Sequence, residues 1–387
     1  MSLPPHFTLL QVVPELETGG AEQSTLDVAR AVVRAGGRAL VATRGGRMVA
    51  RLEADGGEVA LMPVHSKNPL TMIFNAVRLI ALIRREMVSI VHARSRAPAF
   101  SAFWAARATG RPFVATYHGI YQARSGLKRW YNGIMTRGDL VIANSDYTRD
   151  HLRAEHAVDA AKLVTIPRGI DLERFDPSAV SADRVEALRQ AWGVTEDGRT
   201  RILLAGRLTR IKGHLTIVEA ARKLANEGRR DLLMLFAGDD QGRTGYAAEV
   251  QDAIVAAGLG EMVKIVGHCD DMPAAYLLTD VAILPTLVPE SFGRAAVEPQ
   301  VMGRPVIASA HGGVTETILA EKTGWLVPVG DAAAWAEALA RAIDIGPLAR
   351  ADIGKLGRER ARQLYSADAM CAATLTAYDH LLQASAR

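Results

Sequence analysis

The sequence predicts an α/β fold with two doubly wound, parallel-sheet domains, and three observations support this prediction. Short apolar runs alternate with amphipathic stretches of helical length, the pattern of repeated strand–helix–strand units. The alternation restarts after a segment rich in Pro, Gly and Asp at residues 166–177, which we interpret as an interdomain connection. The 387 residues, of which 49% are hydrophobic and 23% charged, are enough for two or three globular domains.

Residues 1–172 are predicted to form the first domain. Its strands and helices are each bounded by Gly, Pro or Asn-Ser, which punctuate regular structure. Strands are expected at residues 7–12, 38–43, 90–93, 113–116, 140–143 and 163–166. Helices are expected at residues 22–34, 70–86, 97–109 and 146–154.

Residues 173–365 are predicted to form the second domain, followed by a C-terminal helix within residues 366–387 that is expected to pack back on the first domain. Strands are expected at residues 202–205, 232–237, 263–266, 281–284, 306–308 and 325–327. Parallel doubly wound sheets bind ligands beyond the carboxyl ends of their strands. We therefore expect both domains to face an interdomain cleft that contains the reaction site.

Composition and charge exclude several classes of protein. The longest apolar stretch, residues 70–83, contains Arg78 and is too short to cross a bilayer, and the N-terminus lacks the basic region of a signal peptide. A cytoplasmic protein is expected. The two cysteines, Cys269 and Cys371, are far apart, and the ten histidines show no metal-ligand spacing, so no metal site is expected.

The two halves of the chain differ in charge. Residues 1–172 contain 22 Lys and Arg against 14 Asp and Glu, whereas residues 173–387 contain 24 against 28. Between residues 40 and 138 there are 15 basic and 4 acidic residues, which suggests either an anionic partner or an arginine-rich solvated surface. A nucleic acid is not expected as partner, because the acidic second half interrupts any continuous basic track.

Two glycine-containing segments follow predicted strands and open helices. Gly19-Gly20 allows close backbone approach to a ligand at a helix N-terminus, although it also suits an ordinary tight turn and lacks the spacing of the dinucleotide fingerprint. The segment 206–213 places Arg207 and Lys212 at a strand end beside a helix N-terminus, where cations stabilise a diphosphate leaving group. We favour that interpretation over solvated loop charges.

Carboxylates and a histidine complete the candidate chemistry. Glu290 and Glu298 follow the strand predicted at residues 281–284, one in a loop and the other two turns into a helix, and could accept hydrogen bonds from sugar hydroxyls. Exposed helical glutamates are the alternative. His118 follows the strand at residues 113–116, where a substrate-binding role and a structural role are equally plausible.

In these motifs and their order, the chain resembles the family 4 retaining glycosyltransferases, which have the two-domain GT-B architecture. The resemblance extends over nearly the whole chain. It rests on Gly19-Gly20-Ala21-Glu22, His118-Gly119, Ala143-Asn144-Ser145, the segment 166–171, Gly206-Arg207 with Lys212-Gly213, Glu290 with Glu298, the segment 303–307, and Gly312-Gly313 with Glu316.

The resemblance implies a role for each candidate residue. Arg207 and Lys212 would hold the diphosphate of a nucleotide sugar, Gly20 would allow closure on the phosphates, and His118 would lie beside the acceptor or the sugar. Glu290 would contact the sugar and Glu298 the ribose. The base would meet backbone at Val266, Gly267 and His268, and Phe292 and Gly293 would complete the donor site. The family retains the anomeric configuration, needs no metal and has no cofactor beyond the nucleotide sugar; GDP-mannose and UDP-glucose both remain open.

Two positions depart from the family pattern. Pro299 directly follows Glu298, where many relatives have alanine; proline removes a helical hydrogen bond, so we expect a kink that shifts the carboxylate. Asp240 stands where glycine is frequent, which affects the expected shape of that loop.

The acceptor is expected to be anionic. The segments 92–98 and 117–131 look similar to the lipopolysaccharide-core mannosyltransferase branch, which implies a lipid A–Kdo type glycolipid at the inner face of the cytoplasmic membrane. Arginines suit carboxylates and phosphates, and Trp130 and Tyr131 suit a membrane interface, although packed helix surface is the alternative. The candidate acceptor-binding residues are Arg94, Arg96, Arg124, Lys128 and Arg129.

Three other functions remain open at this point. A nucleotide-sugar epimerase or an inverting transferase would have a related architecture and different chemistry. A non-catalytic nucleotide-sugar-binding protein is less compatible with the simultaneous presence of His118, Arg207, Lys212 and both glutamates.

Overall fold

The computed structural model describes residues 3–17, 19–121, 125–240, 242 and 244–385. The chain divides into two compact units. Unit 1 comprises Met1–Gly169 together with Ala367–Arg387, and unit 2 comprises Ile170–Ser366. The prediction of two parallel-sheet α/β domains is confirmed.

Unit 1 is built on a seven-stranded parallel sheet in the order β3-β2-β1-β4-β5-β6-β7. The strands are β1 Thr8–Val12, β2 Arg38–Thr43, β3 Glu58–Leu61, β4 Ile90–Ala93, β5 Phe113–Tyr117, β6 Leu140–Ala143 and β7 Leu163–Thr165. The helices are α1 Gly20–Arg34, α2 Val49–Ala54, α3 Pro69–Arg85, α4 Arg96–Thr109, α5 Gly126–Asn132 and α6 Asp146–His156.

The sheet of unit 1 is buried on both faces, as a doubly wound sheet requires. Every residue of β1 is buried; Leu10 and Val12 belong to one core cluster, whereas Leu9 belongs to the cluster on the other face. Because successive strand residues point to opposite faces, a continuous apolar run fills both cores.

The sequence did not predict β3, α2 or α5. β3 is an edge strand, and its four residues are exposed or half-buried, so it lacks the continuous apolar run that marks the inner strands. Helix α2 has six residues and only one fully buried side chain, Leu52. Such short elements depend on tertiary packing more than on local sequence pattern.

The last helix, α15 (Ala367–Ser385), lies in unit 1 and packs against α1. Tyr378 of this helix is fully buried; its ring stacks on Phe7 at 6.2 Å, and its hydroxyl oxygen lies 2.5 Å from Nδ1 of His92. The other ring nitrogen of His92 lies 2.7 Å from the Thr116 hydroxyl oxygen. The helix therefore closes a buried polar network beneath β4 and β5.

Unit 2 is built on a six-stranded parallel sheet in the order β10-β9-β8-β11-β12-β13. The strands are β8 Thr200–Ala205, β9 Leu232–Ala237, β10 Val263–Gly267, β11 Val281–Leu284, β12 Val306–Ser309 and β13 Gly324–Val327. The helices are α7 Ala182–Ala191, α8 His214–Asn226, α9 Thr244–Ala256, α10 Met272–Leu278, α11 Arg294–Val301, α12 Val314–Thr317, α13 Ala332–Asp344 and α14 Gly346–Leu364.

The strand order of unit 2 reverses between β8 and β11, because β9 and β10 lie on one side of β8 and the later strands lie on the other. Side chains of β8 alternate between two cores: Leu203 contributes to one, and Ile202 and Leu204 to the other. In open α/β sheets, ligands bind beyond the strand ends at such a reversal. The loops after β8 and β11 carry three of the predicted donor-binding residues, Arg207, Lys212 and Glu290.

One close backbone approach ties these two loops together. Gly213 has φ 75°, in the left-handed region, and a Cβ built there would lie 1.9 Å from the carbonyl oxygen of Pro285, just beyond β11. Only glycine fits this position without moving the backbone. Leu287 N also donates to the carbonyl of Ile211 at 2.8 Å, so the loop after β11 is fixed against the loop after β8.

The described residues offer neither a membrane-spanning helix nor a cluster of metal-ligating side chains. Among them, no helix combines the length and apolarity needed to cross a bilayer. In the same part of the chain, no group of three or more His, Cys, Asp or Glu could hold a metal ion. Both cysteines are free, and burial raises the pKa of Cys269 to about 11.

Candidate active site

The loop between β8 and α8 shapes the centre of the predicted donor site. Gly206 N donates to the Ala237 carbonyl, and Leu208 N donates to the Asp239 carbonyl, so the loop first extends beside the end of β9. A short 3-10 turn, Arg210–Lys212, then leads through Gly213 into α8. Arg207 is exposed and Lys212 is partly buried within this loop.

Lys212 and Glu290 form an ion pair. Nζ of Lys212 donates to Oε1 of Glu290 at 2.6 Å, and the two side chains are 16% and 27% exposed. The backbone of Glu290 is also fixed, because Gly313 N donates to its carbonyl at 2.8 Å and a Cβ on Gly312 would lie 2.4 Å from that same oxygen. The structure therefore brings together two residues that are 78 positions apart in the sequence.

Glu298 lies on α11, and its carboxylate is held by two neighbours. Arg294, one turn earlier, donates to Oε1 at 3.0 Å, and the hydroxyl of Tyr276 donates to Oε2 at 3.2 Å. Burial, followed by the charge of Glu298, raises the pKa of Tyr276 well above its ordinary value, so this hydroxyl keeps its proton.

Pro299, where the sequence predicts a kink, does not interrupt helix α11. The helix continues through Pro299 to Val301, and Met302 N donates to the Glu298 carbonyl at 3.1 Å. Arg294 lies one helical turn before Glu298, and its ion pair holds the Glu298 carboxylate. This contact does not depend on the helical hydrogen bond that Pro299 cannot donate.

The residues predicted to meet the base lie at the end of β10. Gly238 N donates to the Gly267 carbonyl at 2.8 Å, and the β9–β10 register shifts between Ile265 and Gly267. His268 is exposed, and its Nε2 lies 2.9 Å from Asp270. The nearby Asp240 carboxylate accepts from Gly242 N at 2.9 Å, so a turn closed by this side chain shapes the loop.

Phe292 and Gly293 occupy different environments. The Phe292 ring is buried and packs edge-on against Tyr365 at 5.3 Å, so its side chain belongs to the core and only its backbone can face a ligand. Gly293 has φ 87° at the start of α11, where a Cβ would lie 2.7 Å from Cγ2 of Val314. The place of Phe292 in the donor site therefore stays a prediction, and it concerns the backbone of this residue.

In unit 1, His118 follows β5 and contacts an arginine that the sequence analysis missed. Nη2 of Arg168 donates to Nδ1 of His118 at 2.7 Å and to its carbonyl at 3.3 Å. Burial, and then the charges of Arg168 and Arg94, hold the pKa of His118 well below its ordinary value. Because Nδ1 accepts this bond, the neutral ring carries its proton on Nε2. Gly20, in the same unit, is the first residue of α1.

The four predicted acceptor-binding residues that the structure describes differ in exposure: Arg94 is buried, Arg96 half-buried, and Lys128 and Arg129 exposed. Arg94 is 4% exposed and its Nε donates to Gln11 at 2.9 Å, so its side chain lies in the interior of unit 1 and not on the exposed surface expected of an acceptor-binding residue. Arg96 stacks 3.7 Å above the Tyr121 ring and donates to Asn132 at 2.7 Å.

The remaining predicted acceptor residues belong to α5 or precede it. Lys128 is exposed, and Arg129, 60% exposed, pairs with Glu155 at 3.2 Å. Arg124 lies outside the described residues. Of the five predicted residues, Lys128 and Arg129 therefore remain as described, accessible candidates for an anionic acceptor.

Sequence reasoning missed three residues that touch the candidate groups: Arg168, Tyr276 and Arg294. Arg294 could have been found, because a basic residue four positions before Glu298 is the spacing of a helical ion pair. Arg168 and Tyr276 reach their partners from distant segments, 50 and 22 residues away, and no local pattern indicates such contacts.

Acidification is expected to destabilise unit 2 through His214. This ring is 0% exposed and packs edge-on against Phe236 and Tyr246; burial, and then the charge of Lys212, lowers its pKa to about 4. Below about pH 6.5 the unfolded chain binds a proton at His214 that the folded chain does not bind. The stability that unit 2 gains from keeping His214 neutral is therefore fully present above about pH 6.5 and is lost as the pH falls toward about 4.

The expected loss from His214 is about 1 kcal/mol per pH unit in that interval. Thermal unfolding measured from about pH 7.5 to about pH 4.5 tests this expectation. The variant His214→Phe, which keeps an aromatic ring in the same packing, should show a shallower decline. An identical decline in wild type and variant would show that His214 does not titrate in this way.

Comparison with known proteins identifies the family. The model of Glycosyltransferase Family 4 matches residues 18–174, and that of Glycosyl transferases group 1 matches residues 186–360. A crystal structure of a glycosyltransferase from Rickettsia africae is 32% identical, with 98% of this chain and 99% of that chain covered and a TM-score of 0.89. The Anabaena protein HepE in complex with UDP and glucose has a TM-score of 0.84 over 96% of this chain and 100% of its own, at 23% identity.

Curated relatives match part of the chain. A D-inositol 3-phosphate glycosyltransferase from Geodermatophilus obscurus is 32% identical over 264 residues, which are 66% of this chain and 56% of that protein. A homologue with the same name from Saccharomonospora viridis is 30% identical over 59% of this chain and 53% of its own length. The match thus spans about half the length of these relatives. Together with the two parallel-sheet domains, these similarities show that the chain belongs to the family 4, group 1 glycosyltransferases of GT-B architecture.

Proposed function

We propose that this glycosyltransferase moves a hexose from a nucleoside diphosphate sugar to an anionic acceptor, with retention of the anomeric configuration and without a metal ion. The observation that carries the proposal is the Lys212–Glu290 ion pair at the strand-order reversal of unit 2. Lys212 is a cation suited to phosphate, Glu290 is a carboxylate suited to sugar hydroxyls, and their charged atoms lie 2.6 Å apart. The phosphate and the sugar are neighbouring parts of one donor molecule, so their binding groups should lie this close together.

In the proposed reaction, Arg207 and Lys212 stabilise the departing nucleoside diphosphate. The bond between the sugar anomeric carbon and the phosphate oxygen breaks, and a bond to the acceptor oxygen forms on the same face of the sugar. The phosphate oxygen that leaves takes the acceptor proton. Negative charge grows on the diphosphate in the transition state, so fixed cations beside it lower the barrier more than they strengthen substrate binding.

The two glutamates would orient the donor. Glu290 would accept hydrogen bonds from sugar hydroxyls and Glu298 from the ribose. Arg294 and Tyr276 already fix the Glu298 carboxylate, so little side-chain freedom would be lost when a ribose binds. Backbone at Val266, Gly267 and His268 would meet the base, and the backbone of Phe292 and Gly293 would lie near the sugar.

His118 would act as a neutral hydrogen-bond donor. Arg168 donates to Nδ1, so the neutral ring carries its proton on Nε2, and this N–H would donate to a hydroxyl of the sugar or the acceptor. Because its pKa is held below the ordinary value, the ring would stay neutral and would not add charge beside an oxocarbenium-like sugar. Gly20 would allow the α1 N-terminus to approach the phosphates.

The donor is the first point to test, and UDP-glucose is the leading candidate. Solved complexes of HepE with UDP and with UDP-glucose support this choice, and GDP-mannose is the second candidate. A donor present at a hundred times its dissociation constant should stabilise the fold by about 2.7 kcal/mol. Thermal-shift measurements with matched UDP- and GDP-sugars should therefore show one series with a clear increase in Tm, and no shift with either series would contradict the proposal.

The acceptor is proposed to be an anionic glycolipid of the lipid A–Kdo type at the inner face of the cytoplasmic membrane. Exposed Lys128 and Arg129 beside Trp130 support an anionic acceptor near a lipid interface. D-inositol 3-phosphate is a second candidate, because it is named for several relatives. Transfer of radiolabelled sugar to each acceptor, with the donor identified by thermal shift, separates the two.

Product analysis tests the mechanism. Retention predicts that the new glycosidic bond has the anomeric configuration of the donor, which NMR of the product resolves. An inverted product would assign the enzyme to the inverting class, and a changed sugar without transfer would assign it to the epimerases. Transfer that survives a chelator would support independence from a metal ion, whereas full loss restored by one divalent ion would contradict it.

A further inference from the structure

Helix α3 has two apolar faces, and the core covers only one of them. Its inner face, which includes Met72, Leu79 and Ile83, is buried in the core of unit 1. On the opposite side, four apolar side chains are 53–71% exposed. These are Leu70, Ile73, Phe74 and Val77, which we call the α3 outer face.

The α3 outer face is continuous, because its residues follow the i, i+3, i+4, i+7 spacing of one helical stripe. A helix on the surface of a soluble domain normally carries polar residues at these positions. A contiguous exposed apolar patch is the usual mark of a binding surface, whereas isolated exposed apolar residues are common and need no explanation.

Cations accompany this apolar stripe. Arg78, Arg84 and Arg85 are exposed on the same helix. The segment 59–138, which contains α3, α4 and α5, holds twelve Lys or Arg and a single acidic residue, Glu86. Glu86 is itself engaged by Arg38 at 2.9 Å and Arg85 at 2.7 Å. The α3 helix therefore exposes three arginines beside its apolar stripe, within a strongly basic stretch of the sequence.

The two neighbouring helices add half-exposed indole rings. α4 is joined to α3 by a hydrogen bond from the Ser101 hydroxyl to the Met72 carbonyl at 2.8 Å. Trp104 of α4 and Trp130 of α5, 40% and 54% exposed, both contact the Phe100 ring, at 6.1 and 5.4 Å. Partly exposed indole rings suit the boundary between water and lipid.

We infer that the α3 outer face docks unit 1 on an anionic lipid surface, with α3 lying in the plane of that surface. The helix is 17 residues long and has apolar and cationic groups on one side, as interfacial helices do. Anionic lipid matches the positive charge, whereas a second copy of this chain bound through the same face would bring two cationic surfaces together. The inference rests on the proposed function only in that a lipid-linked acceptor gives the docking a purpose.

Vesicle binding tests the inference. Wild-type protein should co-sediment with vesicles of about half phosphatidylglycerol and half phosphatidylcholine, should bind phosphatidylcholine vesicles much less, and should dissociate as salt rises to about 0.5 M. The double variant Ile73→Glu/Phe74→Glu should lose at least about tenfold in vesicle affinity, because it places two charges at the interface. Its side chains are exposed, so its Tm should remain near that of wild type.

Leu348→Glu is the matched control. Leu348 is 83% exposed on α14 of unit 2, and the same change there should leave vesicle binding unaltered. Equal binding by wild type and the double variant would overturn the inference. A concentration-dependent dimer that light scattering detects and the double variant abolishes would assign the α3 outer face to a second copy, and would also overturn it.

A separate readout distinguishes failure of the docking from failure of the proposed function. The double variant should keep the wild-type thermal shift with a nucleotide sugar, since α3 contributes no residue to the donor site of unit 2. Absence of vesicle binding with a normal nucleotide-sugar shift would refute the docking alone. Vesicle binding without any nucleotide-sugar shift would refute the proposed function alone.

Discussion

Lys212→Ala is expected to reduce kcat for sugar transfer by roughly 100- to 1,000-fold, the effect of removing one preorganised electrostatic group. The proposed reason is that Lys212 stabilises the charge that develops on the diphosphate. Because this stabilisation grows in the transition state, kcat should fall more than donor affinity does. Steady-state kinetics, with donor affinity measured separately by calorimetry, resolves the two effects.

Arg210 is the matched control for this variant. It lies in the same short turn, is 69% exposed and pairs with Glu249 at 2.6 Å, away from Glu290. Arg210→Ala should keep kcat within a fewfold of wild type. If Lys212→Ala turned over at a near-wild-type rate, or if both variants lost activity equally, the assignment of Lys212 to the leaving group would fail. Arg207→Ala should behave as Lys212→Ala does.

Gly213→Ala is expected to destabilise unit 2 by about 4 kcal/mol, among the largest effects of a single substitution. The added Cβ would lie 1.9 Å from the Pro285 carbonyl oxygen, and backbone on both sides leaves no flexible side chain to move. The shift needed to relieve this overlap would separate the loops after β8 and β11. We expect a large decrease in Tm and loss of the nucleotide-sugar thermal shift.

Gly193→Ala separates conformational strain from overlap. Gly193 has φ 58°, also left-handed, but no atom lies within 4 Å of the Cβ position. This variant should cost only about 1 kcal/mol, the penalty of a left-handed conformation for alanine. Similar losses in the two variants would mean that the close contact between Gly213 and Pro285 is not what stabilises the site.

The inner strands were predictable from the sequence because a doubly wound sheet buries both faces. Five strands have the predicted bounds, and the other predicted strands differ by a residue or two at an end; the five are Arg38–Thr43, Ile90–Ala93, Leu140–Ala143, Leu232–Ala237 and Val281–Leu284. β3 carries no such signal, since an edge strand with exposed side chains has neither a continuous apolar run nor a clear alternation.

The sequence predicted which loops carry the residues of the candidate site, but it did not predict which side chains contact each other. Parallel strands bring their carboxyl ends to one edge, so the positions of Lys212 and Glu290 beyond β8 and β11 followed from the order of strands and loops. Their ion pair did not follow, nor did the burial of Arg94 and Phe292, because these depend on side-chain packing between distant segments. Local sequence pattern does not encode which arginine is exposed.

Because α15 belongs to unit 1, this unit cannot complete its fold until the end of the chain has been synthesised. The ribosome delivers the sheet of unit 1 first, then all of unit 2, and only afterwards the helix whose Tyr378 caps His92 and stacks on Phe7. Unit 2 can complete its fold while still tethered to the translating ribosome, whereas the earlier unit must wait with an open apolar flank. Nascent unit 1 therefore exposes the apolar surface that Met370, Leu375 and Tyr378 later cover until the last helix has been synthesised.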